Sequence, residues 1–112
     1  MVEAARESIQ VFHIATQGAL DFAIILNCNY NREGDQWVGI CDELGTSTFA
    51  DTLEKTRSEL QQAIQLQLNE VERITDIRDY LADNEVAIQP VSQLRQGGFA
   101  VAVGSNLEYL GA

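Results

Sequence analysis

The chain has 112 residues, 46% of them hydrophobic, and 17 acidic against 7 basic side chains give it a formal net charge of −10. That length and apolar content suit one domain with its own core and argue against a disordered chain. The charge argues against a phosphate-gripping surface, so no direct contact with nucleic acid is expected. The natural complement is a basic protein surface or a cation, although acidity also serves simple solubility.

Glu3, Arg6 and Glu7 interrupt any signal-peptide apolar region in the first ten residues. The longest aliphatic run, Phe22–Leu26, is too short to span a bilayer, so a soluble, cytoplasmic protein without a membrane segment is expected. Two cysteines, Cys28 and Cys41, cannot build a disulfide framework or a complete zinc site. Their strands are expected to be neighbours, with the thiols reduced and half-buried.

Ser8–Thr16, "SIQVFHIAT", suits a strand but also tolerates a helix. In Phe22–Tyr30 the alternation is clear: Phe22, Ile24, Leu26, Cys28 and Tyr30 share one face, and Ala23, Ile25, Asn27 and Asn29 the other. "NREGD" at Asn31–Asp35 is turn chemistry, and "QWVGICD" at Gln36–Asp42 returns as the second arm of a hairpin. Gly39 within that arm offers room for a close approach by the helix or a strand. Leu44-Gly45 bends the chain into a short strand at Thr46–Ala50. Asp51, with Glu54 three residues on, has the spacing of an N-cap. Leu53, Leu60, Ile64, Leu68, Val71 and Ile74 then form one apolar stripe, which predicts a helix from about Thr52 to Ile74. Thr75 or Asp76 caps a second helix reaching roughly Leu81. Val86–Ile88 and Phe99–Val103 read as short strands, with Pro90 ending the first and "QGG" preceding the second.

These elements predict an α+β fold, an antiparallel three- to four-stranded sheet with one long helix packed on a face. The organisation is a single domain over residues 1–112, with a β-β-β-α core at about 21–72 and an extra helix and short strands at 73–112.

The order strand, turn, strand, acidic bend, strand, capped helix resembles the HicB-like antitoxin family. The resemblance rests on the arm Trp37–Cys41, on Cys41, Glu43 and Leu44 in the "CDELG" bend, and on Asp51, Thr52 and Glu54 in "FADTLEKTRSELQQAIQLQL". Ala50 stands where the family commonly has glycine, and "KTR" replaces its Glu/Ala-rich continuation. The resemblance implies a truncated ribonuclease H-like fold without the nuclease, and a non-catalytic, antitoxin-like module that neutralises a small basic ribonuclease toxin. Members commonly carry a C-terminal DNA-binding segment. None is evident here after Leu81, where "QLRQGGFAVAV" holds one basic residue, Arg95.

Catalytic chemistry finds little purchase. Asp21, Asp42, Glu43 and Glu59 are the carboxylates a metal-dependent nuclease would have to converge, but two of them sit in a bend. His13 is the only histidine and reads as a sheet residue. The cysteines lack basic neighbours and have acidic ones, which would raise their pKa values. No cofactor, no metal and no enzyme activity are expected. A basic toxin would instead meet Glu33 and Asp35 in the hairpin turn and Asp42 and Glu43 at the bend, with Trp37 as an aromatic anchor. The plainer readings are core packing for Trp37 and solvated loop charges for the four acids. Apolar helix surface and open sheet edges predict a homo-oligomer, a twofold dimer or a tetramer of dimers. The alternative function is a stand-alone oligomeric ligand-binding domain with no toxin partner.

Overall fold

The structure is a computed structural model that describes residues 3–15, 18–90 and 108–110. Its elements in chain order are β1 (Ala4–Ile14), β2 (Leu20–Glu33), β3 (Gln36–Cys41), β4 (Ser47–Ala50), α1 (Leu53–Ile74), α2 (Ile77–Asp83), β5 (Ala87–Pro90) and β6 (Glu108–Leu110). All strand pairs are antiparallel and belong to one sheet of order β4-β3-β2-β1-β6, with β5 also on β2. The fold is α+β, an open antiparallel sheet with a long helix laid on it.

Among the described residues the sheet has six strands where three or four were expected. The segment that tolerated either helix or strand is a strand. It pairs with β2 from Ala4↔Asn31 to His13↔Phe22, and that long ladder outweighs local helix propensity. β6 was not anticipated, and the strand expected at Phe99–Val103 lies outside the described residues. Among those residues no helix is long and apolar enough to cross a membrane.

β2 organises the sheet. One of its edges is covered by β1; the other is shared by β5 at Phe22–Ile25 and β3 at Cys28–Glu33. Its alternation places Phe22, Ile24, Leu26, Cys28 and Tyr30 in the core, with Leu53, Leu60, Ile64 and Leu81 in the same cluster. The β2–β3 hairpin turns on Gly34 and Asp35. Gly34 has a φ of 64° and Asp35 does not enter the left-handed region, the pattern of a type II′ turn with glycine first.

A Cβ on Gly39 would lie 2.8 Å from Cδ1 of its cross-strand partner Tyr30 and 3.0 Å from Cγ2 of Thr56 on α1. The bare glycine thus lets the Tyr30 ring and the helix sit against β3. Thr56 is fully buried, and its hydroxyl proton is shared between the carbonyls of Thr52 (2.8 Å) and Trp37 (3.3 Å), so that α1 is tied to β3.

α1 runs unbroken for 22 residues, as its stripe predicts. Its cap is one residue later than expected: the Thr52 hydroxyl, not the Asp51 carboxylate, accepts from Lys55 N at 3.1 Å. Both side chains are capping types, and the extended backbone at Thr52 decides between them. Thr52→Ala is therefore expected to cost about 1 kcal/mol in chemical denaturation and Asp51→Ala close to nothing. The reverse order would refute the assignment. Asp76 caps α2, accepting from Arg78 N and Asp79 N. Burial along the α1 stripe fades after Ile64, and Ile74 at the end of the helix is 82% exposed.

One buried polar cluster was not foreseen. Glu7 lies on the core face of β1, between Ala5 and Ile9. Its carboxylate accepts from the Tyr30 hydroxyl at 2.6 Å and from Arg57 Nε and Nη2 at 3.1 and 2.8 Å. Burial, and then the bond to Glu7, push the Tyr30 phenol well above its usual range. The same carboxylate raises Arg57.

Candidate partner-binding site

The bend between β3 and β4 is built around a gap in the sheet. On the shared edge of β2, Asn27 lies between the start of β5 and the end of β3. The bend returns Glu43 to this point: its carboxylate accepts from Asn27 N at 2.8 Å and from Asn27 Nδ2 at 2.6 Å. Asp42 N donates to Asn27 O, and both Asp42 carboxylate oxygens accept from Asn29 Nδ2, at 2.7 and 2.8 Å. Glu43 thereby satisfies an edge amide that no strand reaches. Gly45 closes the bend with a φ of 74°, and its amide donates to Cys41 O.

Two of the acids expected at the surface are therefore held in fixed positions. Asp42 remains exposed and Glu43 is half-buried. The asparagines that hold them were missed from sequence. The available signal was an Asn-x-Asn run on the polar face of β2, ahead of an acidic bend.

Glu33 and Asp35 are exposed at the hairpin tip, at the opposite end of β3 from Asp42 and Glu43. Six strand residues separate the two pairs by about 20 Å, so the four acids form two patches and not one. Trp37 belongs to neither. It is 8% exposed, in the core, because period-2 alternation turns it to the helix side with Gly39 and Cys41. It is not available as a surface anchor.

Nor do the four carboxylates weighed for metal chemistry share one element: Asp42 and Glu43 lie in the bend, Glu59 on α1 and Asp21 on β2. Asp21 is six residues from Asn27 on β2, about 20 Å from the bend. Among the described residues no group of three or more His, Cys, Asp or Glu could hold a metal ion.

Asp21 belongs to a different cluster at the far end of the sheet. The His13 ring stacks on Phe22 at 4.6 Å, and the Arg78 guanidinium lies 4.4 Å from the Phe22 ring centre. His13 Nδ1 is 3.1 Å from Asp21 Oδ2, its Nε2 meets Glu72, and Arg78 Nη2 lies 3.2 Å from Asp21 Oδ1. This cluster joins β1, β2, α1 and α2 beside a cleft of about 490 Å³. Ile9, Val11, Ile24 and Ile64 contribute apolar lining to the cleft; Gln65 and Asn69 contribute amides.

The cysteines are both buried with free thiols, directly opposed as Cys28↔Cys41. Their acidities diverge. Interaction with Cys41, together with burial, raises Cys28 far above the usual thiol range. Cys41 is lowered, chiefly by the Cys28 thiol and further by the Leu44 and Glu43 amides. The expectation that both would rise therefore fails for Cys41: its bond to the Cys28 thiol, with the bend amides, outweighs burial and the neighbouring Glu43 carboxylate.

In comparisons with known proteins, no family model, no curated protein and no solved structure matches the chain.

Proposed function

We propose that this protein is a HicB-like, non-catalytic protein-binding module that neutralises a small basic ribonuclease toxin. The observation that carries this reading is the β2–β3–β4–α1 succession with its rigid acidic bend. The truncated ribonuclease H-like sheet expected of a HicB-like protein has this element order, and Asp42 stands exposed on a backbone braced by Asn27, Asn29 and Glu43. A fixed carboxylate meets a cation with less ordering cost than a mobile one. With a net charge of −10, the chain also attracts a basic partner at long range. Glu33 and Asp35 at the hairpin tip form a second contact for a partner large enough to span β3. The same reading includes a homo-oligomer, a twofold dimer or tetramer. It is supported by the short edge strand β4 and by Phe49 and Ile40, 63% and 40% exposed on the sheet face away from α1.

The test is gel filtration of this protein mixed at micromolar concentration with the basic protein encoded beside it. Co-elution and loss of RNA cleavage are expected; separate elution would sink the proposal. Where the complex forms, the combined change Glu33→Gln, Asp35→Asn and Asp42→Asn is expected to weaken it about tenfold, mostly through slower association. An unchanged, salt-insensitive affinity would place the interface elsewhere.

The cleft beside His13 favours a second reading, a ligand-binding domain for a small molecule with an apolar body and a hydrogen-bonding head. Its apolar lining and amide groups have the composition of a small-molecule site. Saturable binding of such a compound, lost in Ile24→Trp, would favour it over the toxin reading.

A further inference from the structure

We propose that Cys28 and Cys41 form a reversible oxidation site, a dithiol that closes to an intrachain disulfide. The geometry follows from the hydrogen bonds around the pair and is independent of any partner. Asp42 N donates to Asn27 O, so the adjacent Asn27–Asp42 position is a hydrogen-bonded one. Cys41 N points the other way and donates to Thr46 O at 2.8 Å. Cys28 and Cys41 therefore occupy a non-hydrogen-bonded position of the β2–β3 ladder. At such positions the Cα atoms approach to about 4.5 Å and the side chains lie closest, inside the range a disulfide spans. Both side chains project from the same face of the sheet into the core.

The two thiols are also differentiated. The lowered Cys41 is the one to supply a thiolate, and it stands at the end of β3 where the bend begins. With hydrogen peroxide as oxidant, the Cys41 thiolate attacks a peroxide oxygen, the O–O bond breaks and hydroxide leaves, giving a sulfenic acid. Cys28 sulfur then attacks Cys41 sulfur. The S–O bond breaks, and the oxygen departs as water with the Cys28 proton. Two thiols lose two electrons and two protons, and one peroxide becomes two waters.

Folded protein treated with a small excess of hydrogen peroxide is then analysed by intact mass, thiol titration in denaturant and non-reducing peptide mapping. Loss of both thiols, a mass lower by two hydrogens, and a Cys28–Cys41 peptide released by dithiothreitol are expected. Cys28→Ala removes the resolving sulfur, so the two-hydrogen mass loss and the dithiothreitol-released cross-link should both disappear. The folded wild type retaining both thiols, under conditions that oxidise the guanidinium-unfolded chain, overturns the proposal. Cross-links found only between chains overturn it equally. Neither of those two results depends on a variant that must fold.

Discussion

Replacing Arg57 with methionine is expected to destabilise the protein by about 3–5 kcal/mol, the range for removing one partner of a buried ion pair. The loss arises from the group left behind: the Glu7 carboxyl is fully buried and would keep only the Tyr30 hydroxyl as a partner. Glu7→Gln should cost less, because Arg57 retains 28% exposure and can turn to water. The order of the two variants in urea denaturation therefore identifies the buried member of the pair.

Tyr30 adds a pH dependence at the alkaline end. Its folded phenol is raised above the unfolded value of 10.0, so its contribution is complete below that value. As pH climbs further the unfolded phenol ionises and the folded one does not, and stability is lost. Tyr30→Phe should flatten the alkaline limb of the profile.

Gly39→Ala is the second large effect, expected to cost about 1–3 kcal/mol by overpacking. A Cβ would fall 2.8 and 2.9 Å from Cδ1 and Cε1 of Tyr30, and the ring cannot swing freely because its hydroxyl is bound to Glu7. Thr56 on the other side is held by the hydroxyl proton it shares between Thr52 and Trp37. The clash and the polar cluster share the Tyr30 ring, so their energies should couple. In a Tyr30→Leu background the Gly39→Ala penalty should shrink markedly in a double-mutant cycle. Additive costs would show that the ring is not the obstacle.

Much of the core was legible because it follows local rules. The alternation of Phe22–Tyr30 named the buried face of β2, and the leucine spacing gave α1 its extent from about Thr52 to Ile74. Gly39 could be read as a point of close approach for the same reason. What failed was what depends on partners distant in sequence. Ser8–Thr16 could be settled only by pairing with β2, and Glu7 acquires its role from an arginine 50 positions away. The acids of the bend looked like loop charges because Asn27 and Asn29, which hold them, come from β2, more than a dozen residues earlier. Asp51 and Thr52 compete locally for the same cap, and only the backbone angles at the helix entrance separate them.

The sequence by itself determined which residues alternate inward, where the chain turns, and that one long helix covers a sheet, since periodicity and turn chemistry act within a few residues. Tertiary structure alone decided the number of strands and their order. It also set Cys28 against Cys41, filled the gap at Asn27 with Glu43, and separated the acids into two patches. Each of these is fixed by strand register, and register is a relation between distant segments that no local pattern encodes.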